Sequence, residues 1–334
     1  MKAYKIFESG QPSLRLIDLP EPKPGPGQVV VRVRAASLNY RDLMVLTGRY
    51  GDMRLPIIPL SDGAGEITAI GEGVTRWKTG DRVAGLFFQG WHTGPFRREM
   101  GHTALGGELD GMLAESVALD QDGVIAIPSH MNFAEAASLP CAGLTAWHAL
   151  VTVGNISADQ TVLLLGTGGV SIFGLQFAKM HGARVIITSG SDEKLARARA
   201  LGADETINYR ATSDWEKEVF RLTGKAGADH VVEVGGQNTL GKSLASLAMG
   251  GQVHIVGGVS GFTTELPLFA VLGRAAVIRG IRVGSREMFE AMNRAMTLHK
   301  TKPAVDKVFE FQDAPAAYQF LQDGKHFGKV VITI

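Results

Sequence analysis

The chain has 334 residues, 45% of them hydrophobic and 20% charged, with a formal net charge of +1; this length exceeds one ordinary core and suits two globular domains. Lys and Arg are scattered, with no basic stripe interleaved with aromatics and no apolar run near bilayer length, which argues against nucleic acid and membrane as partners. A single cysteine, Cys141, excludes an intramolecular disulfide and every zinc site built from several thiolates. Lys2, Lys5 and Glu8 stand where a signal peptide needs an apolar stretch, so the expected location is cytoplasmic.

In chain order, residues up to about 129 read as short β runs at 29–33, 65–70, 82–86 and 113–119. Gly and Pro punctuate them, as in Pro22-Lys23-Pro24-Gly25-Pro26-Gly27 and Gly71-Glu72-Gly73, which predicts a β-rich domain. From residue 161 strand and helix alternate. An apolar strand at 161–165 leads through Gly166 into an amphipathic helix ending near His181-Gly182, and a second strand follows at 184–188. Ser191 reads as the N-cap of the next helix, with Asp192 and Glu193 in its first turn and Gly202 at its end. Further strands are expected at 230–234, 252–256 and 276–283, and this alternation predicts a parallel, doubly wound sheet. A helix at 286–299 and a final strand at 329–334 close the chain. The β-type ending suggests a return to the first domain. The expected fold is α/β, with one domain at 1–129 and 284–334 and the other at 130–283.

Gly166-Thr167-Gly168-Gly169-Val170-Ser171 follows a strand and opens a helix, the context a dinucleotide fingerprint requires. Gly166 permits the tight turn, and Gly168 lets backbone N–H groups approach a pyrophosphate. Gly169 and Val170 begin the helix whose N-terminus favours negative charge. NAD binders end the second strand on Asp or Glu, but here it runs Ile187-Thr188-Ser189-Gly190-Ser191. Ser189, Lys194 and Tyr209, with Arg210 beside it, suit a 2′-phosphate, so the expected cofactor is NADP. The alternative is that Lys194 and Arg210 are ordinary solvated charges. Asp192 and Glu193 count against NADP unless they face outward.

These segments, in their order, resemble the medium-chain dehydrogenase/reductase superfamily over essentially the whole chain. Gly80-Asp81-Arg82-Val83, Leu139-Pro140-Cys141-Ala142-Gly143-Leu144-Thr145-Ala146 and Gly328-Lys329-Val330-Val331 are among the matches. The resemblance implies a GroES-like catalytic domain, a Rossmann domain and a cofactor in the cleft between them. Zinc-bearing relatives carry Cys-x-x-Asp, a His-Glu pair and a third ligand cysteine. The corresponding segments here are Asn39-Tyr40-Arg41-Asp42, Ser61-Asp62 and Cys141, so no metal is expected. The four-cysteine lobe of those relatives is replaced by residues 87–111.

The continuation to Gly48-Arg49-Tyr50-Gly51 is similar to the zinc-independent quinone oxidoreductase and enoyl-reductase branch. That likeness implies Tyr50 as proton donor and Asn39 as a second hydrogen-bond donor, with Asp42 organising the site beside Arg41. It also places Thr145 beside the nicotinamide, and Val256, Gly257 and Gly258 at the nicotinamide end. Cys141 is expected to be a small buried residue, not a nucleophile. The implied activity is NADPH-dependent reduction of a quinone or an activated alkene such as an enone. The alternatives are metal-free alcohol–ketone chemistry and NADPH binding with little turnover. Relatives pair the edge formed here by residues 276–283, which implies a homodimer.

Overall fold

Strands β1 (Lys2–Ile6) and β2 (Leu14–Asp18) pair antiparallel, and β3 (Gln28–Leu38) then begins a larger sheet. Val29, Val31, Val33, Ala36 and Leu38 of β3 lie in one buried apolar cluster, which also takes in α1 (Tyr40–Leu46) through Leu43, Val45 and Leu46. The chain continues through β4 (Asp62–Ile70), β5 (Arg82–Gly85), β6 (Ser116–Asp120), β7 (Val124–Ala126), α2 (Phe133–Ala137) and α3 (Leu144–Trp147).

The alternating region follows. Its elements are β8 (Thr161–Leu164), α4 (Gly169–Met180), β9 (Arg184–Ser189), α5 (Asp192–Ala200), β10 (Glu205–Asn208), α6 (Trp215–Leu222) and β11 (Ala228–Glu233). Then come α7 (Leu240–Ala245), β12 (Leu247–Ile255), α8 (Leu268–Arg274) and β13 (Val277–Gly280). The six strands pair in parallel in the order β10-β9-β8-β11-β12-β13. That is the doubly wound order, with β8 central and buried along its whole length. β13 has four residues and forms the edge, shorter than the run at 276–283 suggests.

The chain then makes α9 (Arg286–His299), β14 (Val305–Glu310), α10 (Ala314–Gln322) and β15 (Lys329–Thr333). β15 pairs antiparallel with β3, Val330 opposite Leu38, so the last strand belongs to the first sheet. That sheet has seven strands in the order β14-β15-β3-β4-β5-β7 with β6 paired to β3.

The computed structural model describes residues 1–8, 10, 13–51 and 53–334, which divide into two compact units. One is Met1–Leu144 with Val283–Ile334, and the other is Thr145–Arg282. Residues 130–144 therefore group with the first unit, although the sequence pattern alone assigns them to the second. The reason is that α2 packs on β3 and β4, which a search for β-type runs does not register. Among the described residues no helix is long and apolar enough to cross a membrane.

Candidate active site

Asn39 is the N-cap of α1, with extended backbone (φ −130°, ψ 160°). Its N–H donates to Asp42 Oδ2 at 2.7 Å, so the carboxylate satisfies a donor at the helix start. Asp42 is fully buried, and Arg41 Nη1 lies 3.4 Å from its other oxygen. Burial raises the Asp42 carboxyl to about 6; the Arg41 charge opposes this and the neighbouring Asp62 adds to it. The Arg41 guanidinium also donates to Leu105 O at 2.9 Å. It lies 4.5 Å from the Tyr50 ring centre and 4.8 Å from that of Phe87. Tyr50, half-buried, is thus held to α1 through Arg41. The structure brings Tyr50, Asn39 and Asp42 into one connected group, with Arg41 as the joint.

Two further buried charges complete the cluster. Asp62 begins β4 and Lys329 begins β15, both strands being neighbours of β3. Lys329 Nζ donates to Leu38 O at 2.7 Å and to Asn39 Oδ1 at 2.6 Å, and it stands 3.8 Å from Asp62 Oδ2. Asp62 accepts from Ser61 Oγ at 2.7 Å and from the Cys141 N–H at 3.2 Å. Burial pushes its carboxyl up, against the pull of Lys329, of the Asn39 amide outside hydrogen-bond geometry, and of the Ser61 and Cys141 donors. Cys141 is partly exposed rather than buried outright, because it lies where the chain passes in wide turns from α2 to α3. Burial and the Asp62 charge nonetheless push its thiol far up, which suppresses the thiolate. Reading the sequence by motif missed Asp62 and Lys329 as members of this group. The available signal was a lysine opening the otherwise apolar final run.

The second unit carries the glycine turn. Gly166 has φ +73°, a conformation that favours glycine, and its N–H donates to Thr188 Oγ1 at 3.2 Å. Gly168 is the N-cap of α4, a helix of 12 residues, so N–H groups of Gly169 and Val170 stand at its positive end. Ser171 is buried and donates to Leu165 O at 2.7 Å, which ties this helix turn to the end of the β8 run.

At the tip of β9, Ser189 is buried and Gly190 follows. A Cβ on Gly190 would lie 2.8 Å from Arg210 Nε and 2.9 Å from the Tyr209 hydroxyl. The missing side chain therefore lets those two groups close on the strand end. Ser191 accepts from the Lys194 N–H at 3.4 Å as the α5 cap, and Asp192 and Glu193 are exposed. Beyond β12, the N–H groups of Val256 and Gly257 donate to Glu233 O at 2.8 and 3.3 Å. Gly258 could not carry a Cβ, which would sit 2.7 Å from Gly261 O. Thr145, buried, opens this unit.

A parallel sheet in this order, with a glycine turn between its central strand and the following helix, defines a Rossmann-type unit, and with it an oxidoreductase class that uses a nicotinamide cofactor. Residues 25–129 match the alcohol dehydrogenase GroES-like domain, and residues 169–297 match the zinc-binding dehydrogenase domain. A zinc-type alcohol dehydrogenase-like protein of Schizosaccharomyces pombe is 42% identical over 93% of this chain and 92% of its own. Acryloyl-coenzyme A reductase of Metallosphaera sedula is 30% identical over the whole of both chains. A crystal structure from Sinorhizobium meliloti, of a protein assigned as an alcohol dehydrogenase, superposes with a TM-score of 0.93 at 42% identity, covering 100% of each chain. The chain belongs to the medium-chain dehydrogenase/reductase superfamily and is an oxidoreductase with a GroES-like and a Rossmann unit.

Proposed function

We propose that this oxidoreductase is zinc-independent and uses NADPH to reduce an activated alkene such as an enone, or a quinone. The observation that carries the reading is the Lys329 ammonium on Asn39 Oδ1 at 2.6 Å. Asn39, Ser61 and Cys141 stand where zinc-bearing relatives have ligands. Of these, the Asn39 oxygen is taken by a cation that would repel a dication, and Ser61 Oγ is turned to Asp62. Among the described residues, no three His, Cys, Asp or Glu side chains gather as metal ligands. Without a Lewis acid, hydrogen-bond donors must stabilise charge on the substrate oxygen. Asn39 is assigned that donor role. Tyr50, steadied by Arg41, is assigned the proton for the α-carbon, and Asp42 keeps the cap of α1 in place. The similarity to an acryloyl-coenzyme A reductase supports an activated alkene as substrate class.

The second unit fits the cofactor. Gly166 leaves open space where a Cβ would stand, and the Gly168 to Val170 turn presents helix N-terminal N–H groups for the pyrophosphate. Ser189, Lys194 and Tyr209, with Arg210 closing over Gly190, would hold the 2′-phosphate. Thr145, Val256, Gly257 and Gly258 would border the nicotinamide. When bound, NADPH supplies the hydride. The similarity to proteins called alcohol dehydrogenases favours a second reading, ketone–alcohol interconversion on the same residues. Incubating the protein with NADPH and an enone, an o-quinone or a ketone, then identifying products, separates the two. Saturation of the alkene is expected; reduction of the ketone alone would establish the second reading. Binding without consumption of NADPH by any of the three would leave a cofactor-binding protein.

The same family reading makes a homodimer through the β13 edge, whose neighbours Leu268, Phe269 and Leu272 on α8 are largely exposed. A monomer by light scattering at micromolar concentration would refute it. The expected setting is the cytoplasm.

A further inference from the structure

Asp192 is the first residue of α5, just beyond the tip of β9, where its charge would oppose a 2′-phosphate. Its carboxylate is already engaged. Asn208, the last residue of β10, lies opposite Ser189 in the sheet and donates from Nδ2 to Asp192 Oδ1 at 2.7 Å. The oxygen of the same amide accepts from the Arg210 N–H at 3.0 Å. A backbone N–H only donates and an ionised carboxylate only accepts, so two unlike partners fix which amide atom faces which. The Asn208 carbonyl accepts from the N–H groups of Ala211 and Thr212 at 3.1 and 2.8 Å, and the Tyr209 N–H donates to Ser189 O at 3.1 Å. The turn that carries Tyr209 and Arg210 is therefore closed on Asn208. Arg210 closes over Gly190, and its guanidinium has no ion pair among the described residues, although Asp192 is bound to the adjoining amide.

Resting on the NADPH reading, we infer that Asn208 is a positioning residue that sets cofactor choice: by holding Asp192 it keeps that carboxylate off Arg210 and leaves the guanidinium to the 2′-phosphate. Without the amide, Asp192 and Arg210 are opposite charges on exposed side chains around one turn, and they would pair. Pairing would withdraw the cation from the cofactor and leave negative charge beside the ribose. A 2′-hydroxyl can donate to a carboxylate there, whereas a 2′-phosphate is repelled by it. The Asn208 to Asp192 bond is exposed, so its own contribution to stability is small. Its effect lies in where it sends one charge.

The test uses the full chain and reads binding rather than turnover. Calorimetry gives Kd for NADPH, for NADH and for 2′,5′-ADP, which carries the 2′-phosphate without a nicotinamide. Asn208→Ala should raise Kd for NADPH and for 2′,5′-ADP about tenfold, the loss of one charge-assisted contact at its lower end, and should not weaken NADH. Asp192→Asn alone should weaken none of the three. The double variant, Asn208→Ala with Asp192→Asn, should regain most of the affinity for NADPH and 2′,5′-ADP, because no carboxylate is left to restrain. A role in folding alone would not be rescued in this way. Should Asn208→Ala fail to fold, Asn208→Val, suited to a strand end, takes its place in the same cycle. Wild-type affinities in the single variant overturn the inference, and so does a double variant as weak as the single one, since Asn208 would then act only through the backbone of its turn. A wild type that binds NADH as tightly as NADPH overturns the cofactor reading and this inference with it. A wild type that prefers NADPH, with that preference intact in Asn208→Ala, overturns the inference alone.

Discussion

The two units build their candidate sites from different materials. In the second, the atoms that would meet a ligand are largely backbone N–H groups of six consecutive residues, Gly166 to Ser171, at the start of α4. In the first the candidate group is made of side chains, with Tyr50, Asn39, Asp42 and Lys329 supplied by a loop, a helix cap, a helix turn and the final strand. The backbone-built site depends on the left-handed conformation of Gly166, which favours glycine. The side-chain site depends on Arg41, Asp42, Asp62 and Lys329 balancing one another where water is excluded, so each loss leaves a buried charge uncompensated. Damage to the first unit should therefore strike chemistry, and damage to the second should strike cofactor choice.

The largest expected effect sharpens that contrast in the first unit. Tyr50→Phe keeps the ring against Arg41 and removes only the hydroxyl. Loss of a positioned acid should slow enone reduction about 10²–10⁴-fold, roughly 3–5 kcal/mol, with NADPH affinity unchanged. Quinone reduction should fall less, since a hydroquinone oxygen can take its proton from water. Equal enone rates in both proteins would make Tyr50 a packing residue.

Next comes the second unit. Two charge-assisted contacts at roughly 1.5–3 kcal/mol each should favour NADPH over NADH by at least about a hundredfold in kcat/KM. Gly190→Asp should collapse that ratio, because the new side chain meets Arg210 and Tyr209 and its charge repels the 2′-phosphate. Lys194→Ala should erase part of it by raising KM for NADPH. A wild type indifferent between the cofactors would break the assignment of Ser189, Lys194 and Tyr209.

A smaller effect concerns stability. In the second sheet, His230 Nδ1 lies 3.2 Å from His254 Nε2, and His230 Nε2 lies 3.1 Å from Gln160 Oε1. Both rings are fully buried. Burial, then the facing His230, Arg279 and His148, lowers His254 to about 3, and burial lowers His230 despite Asp229. The folded values lie below the unfolded ones, so the unfolded chain takes up protons first. This stability is fully present above about pH 6.5 and is lost progressively as pH falls from there toward about 3. Each proton taken up only on unfolding costs about 1.4 kcal/mol per pH unit in that window, so urea midpoints should drop between pH 7 and 5. His254→Asn should flatten the profile, and an unchanged slope would place the loss elsewhere.

The smallest effect is none at all. EDTA should leave turnover unchanged, and the purified protein should hold far less than one zinc per chain. Stoichiometric zinc with chelator-sensitive activity would remove the metal-free reading.

What the sequence makes legible follows the same division. The alternation after residue 161 located strands β8, β9, β11 and β12, helix α4 and the Ser191 cap of α5, because each is announced by neighbours within a few residues. Strand limits were less legible. β12 starts at Leu247, earlier than its apolar run suggests, and β13 stops at Gly280. The assignment of residues 130–144 was illegible for a related reason, since α2 is placed by what it packs against and not by its own pattern.

Local sequence by itself determined the glycine turn, the absence of an acid at the tip of β9 and the Ser191 cap of α5, since each is a matter of backbone conformation or contacts between near neighbours. Only the tertiary structure decided that Lys329 meets Asn39, 290 positions away, and that Arg41 joins Tyr50 to Asp42. A buried ion pair carries no periodicity and no spacing rule. Its partners are chosen when β15 inserts beside β3, where desolvation makes every uncompensated charge costly and leaves Lys329 one arrangement that satisfies it.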